Sequence, residues 1–202
     1  MKKIVIFGAT GNTGLCSLEY AVKEGYKTRA FVRDEKKVPE NLRDKVDTIV
    51  GDVTNAEQVS QAIAGMDGVV VVLGTRNDLG PTTVMSDGMK NIIDGMKKHN
   101  VETVSVCLSA FLFYEPGKVP VIFKNVNDDH QRMFDLVKAC SLKWIAVLPP
   151  HIADAPSSEY KTQYDSSPGR AISKHDLGAF LVKSLDQSEH YQKIMGIATV
   201  TQ

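Results

Sequence analysis

Short, unbroken apolar runs alternate with helix-length amphipathic stretches along this chain, and few folds accept that succession. The runs lie at 3–7, 28–32, 47–50, 69–73, 103–107 and 143–147, with a weaker one at 194–199. Most are Val/Ile/Leu-rich without polar alternation, the pattern of parallel strands covered on both faces. Helices fit between them at about 12–24, 55–64, 82–99, 127–140 and 174–185. Strand and helix in regular succession predict an α/β fold of Rossmann type: a doubly wound parallel sheet of about seven strands flanked by helices. Right-handed crossovers set the expected strand order 3-2-1-4-5-6-7. No repeat, low-complexity tract or linker divides the chain, so a single domain over residues 1–202 is expected.

Two irregular stretches interrupt the alternation, at about 108–126 and 149–172. Both are rich in Pro, Gly, Ser and aromatic residues, and both follow late strands. Long loops at the carboxyl ends of parallel strands are where an open α/β sheet binds its ligand. They are the expected substrate loops.

Composition narrows the partners. Lys and Arg number 24, Asp and Glu 24, and the formal net charge is +0, which argues against nucleic acid or an anionic membrane. No apolar run, Val69–Leu73 included, is longer than five residues, far too short to span a bilayer, and no signal-peptide apolar region precedes the first strand. Cys16, Cys107 and Cys140 are odd in number and widely spaced, which fits neither a disulfide framework nor a zinc pattern. The five histidines are scattered without short ligand spacing, so no metal site is expected. A reduced, cytoplasmic protein is the expectation.

The first strand runs straight into Gly8-Ala-Thr-Gly11-Asn-Thr-Gly14, which opens the first helix. Gly8 permits a tight turn. Gly11 lets backbone N–H groups approach a pyrophosphate, and Gly14 lets the helix lie close to the sheet. The helix amino end adds partial positive charge and free N–H groups. Thr10, Asn12 and Thr13 can donate to phosphate oxygens. A dinucleotide-binding turn is expected.

The second strand ends at Val32 and is followed by Arg33, with Lys36 and Lys37 one turn on. NAD-selective folds usually place a carboxylate near this point to accept from the ribose hydroxyls. A guanidinium pairs with a 2′-phosphate instead, so the expected cofactor is NADPH/NADP. Asp52 and Val53, past the third strand, suit adenine, although Asp52 could equally cap the helix beginning near Asn55. Leu73, Gly74, Thr75 and Arg76, past the fourth strand, can run beneath the adenosine and diphosphate.

The chemical end is defined by a missing pair. Ordinary short-chain dehydrogenases use Tyr-x-x-x-Lys on one helix face, where the lysine prepares the tyrosine to protonate an alkoxide. The one literal match, Tyr114 to Lys118, contains Pro116 and Gly117, which break a helix. No nucleophile elbow is present either. Ser109, His130 and His151 remain as polar groups near the late strand ends, while Cys107 and Met85 are either nicotinamide neighbours or core. A site with bound cofactor and no committed acid suits acceptors that take hydride directly into a conjugated system.

The spacing of GATGNTG resembles the extended and atypical short-chain dehydrogenases. The ordered set FGATGNTG, FVRD, IVGDV, LGTRNDLGPTTVMSDG, SAF, DDHQRM, PPHI and ISKHDLG, spread over almost the whole chain, resembles the NADPH-dependent flavin reductases that also act as biliverdin-IXβ reductases. That resemblance implies a single-domain, cytosolic, monomeric reductase. Its implied small-molecule substrates are FMN, FAD, riboflavin and biliverdins other than the IXα isomer.

By the same resemblance Gly8, Thr10, Gly11, Asn12 and Thr13 hold the diphosphate, and Arg33 with Lys36 and Lys37 holds the 2′-phosphate. Asp52 and Val53 border adenine; Leu73, Gly74, Thr75, Arg76 and Met85 line the groove. Cys107, Ser109, His130, His151 and Ile152 border nicotinamide and substrate, with Ser109 positioning a proton and His151 in a minor catalytic role. Two departures stand out: Ile122 where a basic residue is expected, and Tyr114 where Trp is expected. The rival readings are an NmrA-like NADP-binding redox sensor without turnover and a quinone reductase.

Overall fold

The computed structural model describes residues 2–115 and 117–200. Strand β1 (Lys3–Phe7) leads through the glycine turn into α1 (Asn12–Lys23), then β2 (Lys27–Val32), a short helix α2 (Glu40–Arg43), β3 (Val46–Val50) and α3 (Ala56–Ile63). The chain continues as β4 (Gly68–Val71), α4 (Val84–Lys98), β5 (Thr103–Cys107), α5 (Lys124–Ala139) and β6 (Lys143–Leu148). Short strands β7 (His151–Ala153), β8 (Tyr160–Tyr164) and β9 (Ala171–Ser173) precede α6 (Lys174–Lys183) and β10 (Lys193–Thr199).

The main sheet has eight strands in the order β3-β2-β1-β4-β5-β6-β10-β8. Its first seven are parallel and follow the expected order. The eighth corrects the expectation of about seven: β8 pairs antiparallel with β10, with Ile197 opposite Thr162. Tyr160-Lys-Thr-Gln-Tyr164 is polar because it is an edge strand with mostly exposed side chains, so it lacks the apolar run that marks the inner strands. Gly196 admits the turn that follows, since a Cβ there would lie 1.9 Å from the Ser166 carbonyl oxygen. The stretch 149–172 is therefore no structureless loop. β7 and β9 form a second, two-stranded parallel ribbon within and beside it.

Alternation along each inner strand divides the core into two layers. Val5 and Phe7 face α3, α4 and α5, packing with Val59, Met89, Ile92 and Met133. Ile4 and Ile6 face the other way, against Leu18 of α1 and Leu177 and Leu181 of α6. Both faces are closed, which is why these strands read as continuous apolar runs. No helix among the described residues is long and apolar enough to cross a membrane.

The sheet order reverses at β1, which pairs with β2 on one side and β4 on the other. At such a switch point the two crossovers leave in opposite directions, and a crevice opens beyond the carboxyl ends of the strands. β4 ends at Val71, two residues earlier than expected. That frees Val72 and Leu73 to line the crevice. α5 begins at Lys124, three residues before the expected start, after the turns at Ala110–Phe113 and Val121–Phe123.

Candidate functional site

A cleft of about 700 Å³ lies over the switch point. Gly8, Thr10, Gly11, Asn12 and Thr13 form one wall. Gly8 has φ +81°, and a Cβ there would sit 2.2 Å from the Val72 carbonyl oxygen on the neighbouring chain segment. A Cβ on Gly14 would lie 2.1 Å from the Gly8 carbonyl oxygen, so α1 can approach the turn only because residue 14 is glycine. The turn itself closes through the Gly11 N–H, which donates to the Gly8 carbonyl at 2.9 Å.

Gly11 is the N-cap residue of α1 and, lacking a side chain, offers the helix no cap. The first N–H groups of α1 therefore face the cleft with the positive end of the helix dipole behind them. An oxyanion fits such a cradle, and the missing Cβ atoms leave room for one. Arg33 stands at the mouth of β2, exposed and in the cleft lining. It makes no salt bridge with any described residue. Lys36 and Lys37 lie in the turn that follows, exposed but outside the lining.

Asp52 lines the cleft beyond β3. Its carboxylate accepts from the Thr54 hydroxyl at 2.6 Å and the Thr54 N–H at 2.8 Å. The Thr54 hydroxyl, then its N–H, hold the carboxyl below its ordinary value, with Arg33 adding to the effect. The cap of α3 is Asn55, whose side chain accepts from the N–H groups of Glu57 and Gln58. Asp52 is thus not the helix cap, and Val53 beside it joins the lining.

The segment after β4 carries Leu73, Gly74, Thr75 and Arg76, all in the lining. Arg76 and Asn77 adopt left-handed backbone at φ 52° and 71°. Each such residue costs on the order of 1 kcal/mol, and the neighbourhood must hold it. α5 does so. Asn125 Nδ2 donates to the Leu79 carbonyl at 3.1 Å, and Arg132 Nη2 to the Thr82 carbonyl at 2.7 Å. The fully buried Asp129 accepts from the Met85 N–H at 3.0 Å and the Ser86 hydroxyl at 2.5 Å, fixing the start of α4. Asn125 lies outside every quoted motif, and Asp129 and Arg132 fall within DDHQRM without any sign there of this role, which depends on α5 crossing the far end of that segment.

Because β2 and β5 lie on opposite sides of β1 and β4, Arg33 and Cys107 occupy opposite ends of the cleft. Met85, Cys107, His130 and Ile152 line the second end. Burial pushes the Cys107 thiol up to about 12, so it stays protonated. Burial likewise pushes His130 down to about 4, against the opposing charge of Asp129. The His130 ring nitrogen Nδ1 is enclosed and has no hydrogen-bond partner among the described residues. Such an atom can pair with a bound water or with a ligand group.

Ser109 and His151 fall outside the lining. The Ser109 hydroxyl accepts from the Phe111 N–H at 3.2 Å, capping the turn at Ala110–Phe113. His151 is exposed at the start of β7. Tyr114 is extended, with φ −85° and ψ 148°, and Gly117 has φ +90°, so no helix joins Tyr114 to Lys118. Pro116 lies outside the described residues. Beside this turn Tyr114, Val121 and Ile122 are 50%, 86% and 60% exposed, three apolar side chains left open to solvent.

A family model described as NAD(P)H-binding matches residues 8–188, spanning the glycine turn, the cleft and α6. The chain belongs to this NAD(P)H-binding family. Its cofactor is accordingly a nicotinamide dinucleotide, held in a Rossmann-like fold.

Among curated proteins, an uncharacterized chloroplastic protein of Arabidopsis thaliana is 30% identical over half of this chain, which covers 39% of that protein. The isoflavone reductase homolog P3 of the same plant is 24% identical over 96% of this chain and 68% of its own length. Among solved structures, a proposed NADH-flavin reductase from Streptococcus pneumoniae superposes with a TM-score of 0.82 at 21% identity, over 99% of this chain and 100% of the other. At that identity the likeness is one of fold.

Proposed function

We propose that the protein is an NADPH-dependent reductase that passes hydride to planar conjugated acceptors: flavins (FMN, FAD, riboflavin) and biliverdin of the IXβ type. The reading rests on the family's nicotinamide cofactor and on one observation. At the second end of the cleft, the thiol of Cys107 and the imidazole of His130 are shifted away from neutrality in opposite directions, so neither is poised as an acid near pH 7. When bound, the reduced nicotinamide supplies the hydride. The residues around it then orient, stack and exclude water rather than deliver a proton, which suffices for an acceptor that spreads charge over a conjugated system.

Each part of the cleft has a share in that work. The α1 N-terminus with Thr10, Gly11, Asn12 and Thr13 binds diphosphate, and Arg33 pairs with the 2′-phosphate, with Lys36 and Lys37 adding field rather than contact. Asp52 and Val53 border adenine, while Leu73 to Arg76 carry the adenosine and diphosphate. Neutral His130 offers Nδ1 to a ligand group, and Met85, Cys107 and Ile152 give the nicotinamide an apolar wall. The exposed rim of Tyr114, Val121 and Ile122 receives one face of the acceptor. Ser109 and His151 sit next to that region and act, at most, on where a proton waits. The free thiols fit the reducing cytoplasm, and the family resemblance is what points to a monomer.

A steady-state panel tests the reading: NADPH against NADH, with FMN, riboflavin, biliverdin IXβ, biliverdin IXα and a quinone. Turnover with flavins and the IXβ isomer, preferring NADPH, is expected. Tight NADP binding without turnover of any acceptor would turn the account to the redox-sensor reading, for which the exposed rim would be a partner surface. Turnover of quinone alone would make the protein a quinone reductase.

A further inference from the structure

On the opposite face of the sheet from α4, α1 and α6 bring together three side chains far apart in the sequence. Cys16 Sγ lies 3.5 Å from His175 Nδ1, 159 residues away. A Glu19 carboxylate oxygen joins them, and the three ligand atoms lie within 4.8 Å of one another. From this sulfur, nitrogen and oxygen set we propose that Cys16, Glu19 and His175 form a zinc site that clamps α1 to α6.

The donor spacing supports it. A tetrahedral zinc with Zn–S of about 2.3 Å and Zn–N of about 2.0 Å puts its sulfur and nitrogen about 3.5 Å apart. The cysteine and histidine already stand at that separation. Glu19, three residues along the same helix face as Cys16 and exposed, needs only to swing inward by about an ångström. Thiolate, imidazole and carboxylate together suit zinc among the common divalent ions, and a water would complete the tetrahedron.

The ligands are also carried on rigid supports. Ser173 caps α6 by accepting from the His175 N–H at 3.2 Å. Gly178 lets the helices touch, because a Cβ there would lie 2.7 Å from Cys16 Cβ, and the Ser17 hydroxyl donates to the Gly178 carbonyl at 3.1 Å. The Lys174–Asp154 ion pair at 2.8 Å lies alongside and is internally neutral. A thiol is protonated at neutral pH and ligates as the thiolate, so the ion would displace a proton when it binds. Spacing within the sequence conceals the site, since only the α1–α6 packing unites its two halves.

The test uses the full chain stripped with a chelator, kept reduced, and titrated with zinc against a chromophoric competitor. One equivalent should bind, with one proton released. Cys16→Ser and His175→Ala should each weaken binding by more than about 100-fold, beyond the 10–100-fold usual for residues outside the ligand shell. Cys140→Ser should leave it unchanged. Cobalt in place of zinc should give the intense visible absorption of a tetrahedral centre together with a thiolate-to-cobalt charge-transfer band. That spectrum, taken on the unsubstituted chain, does not depend on any variant folding. No stoichiometric binding, octahedral cobalt, or binding indifferent to Cys16→Ser would overturn the proposal.

Discussion

Replacing Gly14 by alanine sets helix propensity against packing. Residue 14 is in the first turn of α1, and alanine is favoured over glycine within a helix by about 1 kcal/mol. On propensity alone the variant would be more stable. The added Cβ, however, would lie 2.1 Å from the Gly8 carbonyl oxygen and 2.9 Å from its carbon. Both are backbone atoms, so no rotamer relieves the clash, and helix and turn must part by roughly an ångström.

Overpacking of that kind costs about 1–3 kcal/mol. The same carbonyl accepts the Gly11 N–H at 2.9 Å, a bond worth a further ~0.5–1.5 kcal/mol if it is strained away. The net is a loss of roughly 2 kcal/mol, which for a chain of this size lowers Tm by about 4–8 °C. NADPH affinity should fall more than tenfold, because the displaced turn is the diphosphate cradle. Thermal melting and fluorescence titration read the two effects. Gly74→Ala is the control: it also lines the cleft, but its Cβ would meet nothing within 4 Å, so its Tm should hold. A Gly14→Ala protein as stable as the parent, with unchanged affinity, would refute the reasoning.

Arg33→Ala should weaken NADPH by about 10–100-fold, the worth of a charge-assisted hydrogen-bonded pair, and NADH hardly at all; equal losses in calorimetric titration would rule out a 2′-phosphate contact. Because His130 has its folded-state pKa depressed to about 4 from an ordinary 6.5, the unfolded chain takes up a proton first on acidification. Its contribution is complete above pH 6.5 and drains away as pH falls toward 4, with a slope of at most about 1.4 kcal/mol per pH unit. Urea unfolding of His130→Gln across that window should show a flatter profile, and an identical slope would mean that His130 is not the group responsible. Ser109→Ala should cost less than about tenfold in kcat/KM for FMN; a loss of several hundredfold would reveal a required proton donor.

The architecture was legible because the inner strands are buried on both faces. β5 (Thr103–Cys107), fully enclosed, falls on its expected residues, and β1 to β3 lie within a residue of theirs. What the sequence hid is polar or contingent. β8 exposes most of its side chains and owes its existence to the free edge of β10. The glycine turn announced itself because Gly8 and Gly14 answer to local geometry, and Arg33 because it directly follows β2. Asp129, by contrast, looks like any acid on a polar helix face until the fold delivers it to the start of α4. The pairing of Cys16 with His175 is hidden for the same reason.

Direct hydride handover is tested most sharply by isotope. NADPH carrying deuterium at the transferring position of its nicotinamide would be turned over with biliverdin IXβ in ordinary water, and the product examined by mass spectrometry and NMR. The account predicts one deuterium on the reduced central carbon bridge. Product whose bridge hydrogen comes wholly from solvent, or no product despite saturating cofactor, would contradict it.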